Sequence, residues 1–322
     1  MFAYQEFKHQ LLDLVSQKIK EQGYKGLTIL NHPIMKNNDI TLDGLTLEYP
    51  EQALCPTFYV EQLFKQYQQG FSMDRLVDHM LCSWQEVGQE TMDTTQWLDY
   101  DQCRSHIIYR LINTRKNEKM LEGMPGIPFL DLTIVFLYYV GEKDDGIMNM
   151  PITNSLMELW GCTPMELLKD AHKNTWKLMQ IRLETIVDRL CELLPEELED
   201  AREALEINVP SSVIPYIMTN NCGVNGAASL LYPGSLCLAA LELGESYYIL
   251  PSSIHELILV PESEVYTVDH LQEMVREVSD QCLDDRDFLS DHIYFYDQHQ
   301  KTLQNITYVP EIAPLQIGKL PI

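Results

Sequence analysis

The sequence predicts an α+β fold in which amphipathic helices pack on a mixed, largely antiparallel sheet or sheets. Three observations carry that reading. Helical and strand-like segments occur in irregular order, several strand pairs are joined by hairpin-length links, and no regular βαβ succession is present. With 322 residues, 45% apolar and 9% aromatic, the chain can bury a core, as one large domain or two ordinary ones.

Residues 4 to 20 repeat Tyr4, Phe7, Leu11, Leu14 and Val15 at helical spacing, and Gly23 is a natural stop. LTILNHPIM, the turn KNND and ITLDGLTLEY then read as a β-hairpin, with a bulge or bend expected where the alternation changes face at Asp43-Gly44. The extended piece PTFYV leads into a helix at 60 to 69. A second helix follows Ser72, whose hydroxyl can cap it, with Leu76, Val77, Met80, Leu81 and Trp84 on one face. Residues 88 to 103 are polar and read as loop or short helix. SHIIYRLIN reads as a strand, 114 to 122 as helix and MPGIPF as a turn.

A boundary near 125 would separate an N-terminal part, 1–125, from a C-terminal part, 126–309, and an extended tail, 310–322. One continuous module through that point is the other option. LDLTIVFLYYV, apolar on both faces, reads as a central strand with IMNMPIT as its antiparallel partner. A short helix over 154 to 160 ends at Trp160-Gly161. Thr163-Pro164-Met165-Glu166 is a capping box that starts a helix to about 177. Further helices are expected at 182 to 194 and after Pro195. VIPYIMT, AASLLYP, YYILPS and HELILVP read as short strands, and SLCLAALELG as a helix. Thr267 caps a helix bearing Leu271, Met274, Val275 and Val278, and HIYFYDQ reads as the final strand.

Charge and cysteine usage bound the function. The chain carries 48 acidic and 23 basic residues, a net charge of −25. That balance lacks the clustered cations that nucleic acid or anionic lipid requires, so neither is an expected partner. An acidic mimic of nucleic acid rests on net charge alone. No window has the ~18 uncharged apolar residues of a membrane span, and the N-terminus has no signal-peptide pattern, so a soluble cytoplasmic protein is expected. The eight cysteines lie at least 15 residues apart, so there is no C-x-x-C pair. They read as small buried hydrophobes. Cys222, in NNCGVNG, is the one whose loop setting allows reactivity.

Two segments concentrate candidate site residues. In LPSSIHELILVP, His255-Glu256 begins like H-E-x-x-H, but Leu259 stands where the second histidine belongs, so a zinc-protease site is not expected. Ser252, Ser253 and Cys222 are candidate nucleophiles for a hydrolase with His255 as general base, although the chain has no G-x-S-x-G elbow. The competing reading makes Ser252 and Ser253 a local turn. The loop 219 to 229 places Asn220, Asn221 and Asn225 among glycines, a ligand-binding candidate with Glu256. It lacks the Lys-Ser/Thr ending of a phosphate-binding P-loop. Asp280, Asp284, Asp285 and Asp287 do not match a calcium-loop spacing. No metal site and no cofactor is indicated.

Taken together, the order ITLDGLTL, PTFYVEQLFKQYQQG, IIYRLINTRKNEKML, DLTIVFLYYV, MPITNSLMELWGCTPMELLKDAHKNT, TNNCGVNGAASLLYPGSL and YYILPSSIHELILVP resembles a family of bacterial proteins. That family is common in gut anaerobes of the Firmicutes and is described only as a domain of unknown function. Asn174-Thr175 and Leu250 to Glu256 are the most specific pieces. The resemblance covers nearly the whole chain and implies a single family module, with no activity or site residues attached. The functional expectation is therefore a non-enzymatic protein that binds a protein or small-molecule partner, with the His255 hydrolase as the alternative.

Overall fold

A computed structural model describes residues 2–49, 55–88, 97–143, 146–193, 213–281 and 283–307, and its architecture is α+β. The acidic helix expected at 196 to 206 and the tail from 310 lie outside the described residues. The chain divides into two compact units, Met1–Lys36 with Ile40–Gln96, and Asn37–Asp39 with Trp97–Ile322. Position 125 lies in the second unit, immediately before a strand that begins at Gly126.

The first unit packs three helices, α1 (Tyr4–Glu21), α2 (Val60–Gln68) and α3 (Met73–Gly88), on an antiparallel sheet of β1 (Thr28–Met35), β2 (Thr41–Glu48) and β3 (Thr57–Tyr59). The 3.6-residue period puts Phe7, Leu11, Val15 and Ile19 of α1 on one face, all buried. Each such side chain contributes about 1.5–3 kcal/mol on burial. Leu76, Val77, Met80, Leu81 and Trp84 of α3 complete the core, and the Ser72 hydroxyl accepts from the Arg75 N–H at 3.3 Å, as expected of a cap.

The bend expected at Asp43-Gly44 is absent. β1 and β2 pair without interruption, Asp43 opposite Pro33 and Gly44 opposite His32. A Cβ at position 44 would collide with Ile34, so glycine serves close packing of neighbouring side chains, and the change of face reflects a strand buried on both sides.

Among the described residues the second unit contains two sheets. In the first, β6 (Leu132–Lys143) is flanked by β4 (Ile107–Asn113) on one edge, and by β5 (Gly126–Phe129) and β7 (Gly146–Pro151) along the other. MPGIPF, expected as a turn, thus supplies a strand. Pro128 is tolerated because β5 is an edge strand, and the tight turn lies at Leu130-Asp131, with Leu130 at φ 56°. The short helix α4 (Tyr100–Cys103) precedes β4, and α5 (Glu118–Glu122) follows it. After β7 come α6 (Asn154–Trp160), closed by left-handed Gly161, and α7 (Pro164–Leu178). The Thr163–Glu166 capping box of α7 is formed in both directions.

The second sheet has the order β13-β12-β10-β11-β9-β8, every neighbour antiparallel. Its strands are β8 (Ile181–Thr185), β9 (Tyr216–Asn220), β10 (Tyr247–Leu250), β11 (Leu257–Pro261), β12 (Tyr294–Asp297) and β13 (Thr302–Asn305). Three expectations are corrected here. The helix expected from 182 begins as β8, and only Ile186–Leu193 is helical (α8), with the Thr185 hydroxyl accepting from the Asp188 N–H at 3.0 Å. AASLLYP is not a strand, because Gly226–Leu231 winds into a wholly buried 3-10 turn. HIYFYDQ is not the last strand, since β12 turns back into β13 at Lys301, φ 53°. Helices α9 (Ser235–Leu243) and α10 (Val268–Gln281) fall where the patterns place them, and Thr267 caps α10. One apolar cluster joins Tyr109, Ile134 and Phe136 of the first sheet to Met218, Tyr247 and Leu257 of the second, beneath Leu167 and Ala171 of α7.

Candidate functional site

The two segments singled out by sequence come together. β9 and β11 are antiparallel neighbours, with Leu257 opposite Met218, so the loop leaving β9 lies beside the segment entering β11. The Thr219 hydroxyl donates to the His255 carbonyl at 2.7 Å, and the Ala227 N–H donates to the Ile254 carbonyl at 3.1 Å. Gly226 sits between them. A Cβ there would collide with both Thr219 Oγ1 and the His255 carbonyl oxygen, so only glycine fits. A third strip, Asp287 to Ser290, closes the group. Asp287 accepts the Ile254 N–H at 2.8 Å, Ser252 accepts the Leu289 N–H at 2.9 Å, and Ser253 bridges to Phe288.

The hydrogen bonds of His255 define its chemistry. Its Nδ1 accepts from the Asn225 backbone N–H at 3.3 Å, so in the neutral ring the proton sits on Nε2, which faces Asp287 Oδ1 at 3.2 Å. Asn225 can present that N–H because it adopts the left-handed conformation, φ 54°. The lone pair that a general base would use is therefore engaged by the main chain. For His255 to take a proton from a hydroxyl or thiol, the Asn225 bond must first break.

The other candidates have local roles. Ser253 Oγ accepts the His255 backbone N–H at 3.0 Å, an anchor for the turn, and Ser252 and Ser253 are both buried. Asn220, also buried, braces its loop at both ends. Its Oδ1 accepts the Cys222 N–H at 3.0 Å and its Nδ2 donates to the Val224 carbonyl at 2.9 Å. Asn221 is exposed and its N–H donates to the Gln180 carbonyl, while the Cys222 thiol donates to Asn221 Oδ1 at 3.4 Å. The N–H groups of residues 221, 222, 223, 225, 227 and 228 all go to partners within the fold. A loop that spends its donors this way does not form a phosphate-binding nest. Glu256 is partly exposed. Among the described residues, no three His, Cys, Asp or Glu side chains converge as metal ligands would.

A second group lies directly beneath this loop. Tyr232, which ends the 3-10 turn, approaches Asn220 and Cys222, and its ring meets that of Tyr109 on β4 with centroids 6.4 Å apart. Tyr109 stacks on His172 of α7 at 6.3 Å. The Tyr109 hydroxyl, His172 Nε2 and the hydroxyl of Ser229, one turn before Tyr232, are all buried, and none has a hydrogen-bond partner among the described residues. Tyr232 faces the Asn220 amide, which spends one N–H on the Val224 carbonyl and has a second for the Tyr232 hydroxyl. Burial pushes both phenols well above their usual range, Tyr109 further through the neighbouring Tyr232, and pushes the His172 imidazole down. Position is fixed by α7. Asn174 Nδ2 donates to the carbonyls of Arg104 and Ile107 at 2.7 and 3.0 Å, and Thr175 Oγ1 accepts the Tyr109 N–H at 3.2 Å.

Residues 4–298 match the family of unknown function DUF5688. The chain belongs to that family. No curated protein and no solved structure matches it. In this DUF5688 chain the sequence reading locates the upper loop but misses the buried group below. The available signal was phase. Tyr109 alternates with Ile107 and Leu111 on the inward row of β4, and a tyrosine there must find a polar partner inside the core. Asn174-Thr175, conspicuous as sequence, ties α7 to this same strand.

Proposed function

We propose that this DUF5688 chain binds a small polar molecule in the interior between β4, α7 and the 226–231 turn. One observation carries the reading, namely the unpaired Tyr109, Ser229 and His172 polar atoms beside Tyr232. A buried polar group left without a partner costs about 1–3 kcal/mol, so three cost about 3–9 kcal/mol, comparable to the 5–15 kcal/mol stability of a typical domain. A ligand offering both donors and acceptors offsets that cost, since phenols and the serine can do either and the imidazole Nε2 does one or the other by tautomer. The His255–Asn225 contact supports binding over hydrolysis, because it occupies the candidate base.

The test is a thermal-shift screen of small polar metabolites on the wild-type protein and on Tyr109→Phe and Tyr232→Phe variants, with a crystal structure of any stabilised sample. A compound at a hundred times its Kd adds about 2.7 kcal/mol to stability. The expected result is a stabilising compound whose effect is lost in the phenylalanine variants. If no compound moves the melting temperature and the crystal interior holds only water, the reading is wrong.

A further inference from the structure

The opposite face of β4 carries a different anomaly. Tyr109 points into the main core, so Arg110 points the other way, on the row of Ile108 and Ile112 and across from Val135 of β6. Those three neighbours are buried. Nε of Arg110 is sealed from solvent and has no hydrogen-bond partner among the described residues, while Nη2 rests 4.0 Å from the sulfur of Met120. Desolvation pulls the guanidinium down to about 10, which still leaves it charged at neutral pH.

No carboxylate meets Arg110 among the described residues, in a chain with 48 acids and 23 bases. Arg104 pairs with Asp101 and Asp170, Arg182 with Glu184 and Glu192, Arg189 with Glu184 and Glu192, and Arg286 with Asp284. A cation set among isoleucine, valine and methionine without a counter-ion is unfavourable unless something supplies the charge. The residue as a whole is neither fully buried nor exposed, while its Nε is sealed from solvent.

We propose that the Nη edge of Arg110 is a receptor for the carboxylate of a small organic acid, whose hydrocarbon part lies against the neighbouring apolar side chains. A carboxylate matches the planar fork with two parallel hydrogen bonds, and the apolar surroundings favour an acid with a hydrocarbon tail over a compact inorganic anion. This site is on the other side of the sheet from the Tyr109 group and does not depend on it.

The test uses the full chain, with hexanoate, acetate and inorganic phosphate as probes against sodium chloride at matched ionic strength. Hexanoate is expected to raise the wild-type melting temperature by about 2–4 °C at saturation, more than acetate or phosphate. The rise is expected to vanish in Arg110→Met and to persist in weakened form in Arg110→Lys. In the wild-type protein the ¹⁵Nε–H signal of Arg110 is expected to shift on titration with hexanoate, a readout that does not require a variant to fold. A wild-type protein indifferent to hexanoate relative to chloride, an unmoved Arg110 signal, or a full response retained in Arg110→Met overturns the proposal. A phosphate response exceeding that of hexanoate overturns the assignment to an organic acid.

Discussion

Gly226→Ala tests the joint between the two loops. The added methyl has nowhere to go, because its ideal position overlaps Thr219 Oγ1 and the His255 carbonyl and lies 3.0 Å from the Asn220 backbone nitrogen. Two of these are main-chain atoms in or beside paired strands, so they cannot rotate aside. Overpacking a fixed site costs about 1–3 kcal/mol. Pushing Thr219 off the His255 carbonyl removes a buried hydrogen bond worth about 0.5–1.5 kcal/mol. The sum is about 1.5–4.5 kcal/mol. With a urea slope of about 3 kcal/mol/M, the denaturation midpoint falls by about 0.5–1.5 M.

The control is Gly223→Ala in the same loop. Gly223 has φ +65° and no atom within 4 Å of an added Cβ, so only the left-handed penalty of about 1 kcal/mol applies. Urea denaturation followed by circular dichroism gives both midpoints, and faster hydrogen exchange at the Ala227 and Ile254 amides locates the damage. A Gly226→Ala midpoint within about 0.2 M of wild type, or a Gly223→Ala cost larger than that of Gly226→Ala, would refute the argument from space.

Three further outcomes are expected. His172 is buried with a depressed proton affinity, so the unfolded chain binds that proton more tightly. Stability is therefore full above the unfolded value near 6.5 and declines as pH falls below it. Urea midpoints measured between pH 7.5 and 5 should show this slope, and His172→Gln should flatten it. Thr163→Ala removes the capping box of α7 and should cost about 1 kcal/mol, read from the same denaturation curves. A ¹⁵N spectrum of the neutral His255 ring should show the proton on Nε2 and a bare Nδ1, and a dominant Nδ1–H form would contradict the Asn225 contact.

The sequence was most legible where one rule governs a whole segment. The period of α1, the Ser72, Thr163 and Thr267 caps and the hairpin of β1 and β2 all follow from local chemistry. It was least legible where tertiary packing decides. GIPF becomes β5 because β6 offers a free edge, and Ile181 to Thr185 becomes β8 because β9 does. AASLLYP has strand composition apart from its small residues, and those small residues let Gly226–Leu231 coil closely under His255 instead. At the candidate site, the meeting of the Asn220–Asn225 loop with Ile254-His255 was anticipated only as a question. Asp287, which holds the ring from a third strip, carried no sequence signal beyond an acidic run. The buried tyrosines were hidden because the same alternation that makes a core row also conceals an unpaired hydroxyl.

β4 carries both unresolved costs on consecutive residues, and its register separates them. Tyr109 faces Tyr232 and His172, while Arg110 faces Val135 and Met120 on the other side. The seven paired positions between β4 and β6, from Ile107–Tyr138 to Asn113–Leu132, hold this phase, because a slip of one residue would drive the guanidinium into the tyrosine core. Side chains on opposite faces with no shared partner should act independently. A double-mutant cycle of Tyr109→Phe and Arg110→Met, measured by urea denaturation, should therefore be additive to within about 0.5 kcal/mol. The hexanoate response should survive Tyr109→Phe, and any polar-metabolite response should survive Arg110→Met. A coupling of 1 kcal/mol or more, on the order seen for contacting residues, would mean that the two groups share one interior, and that the strand does not partition two sites.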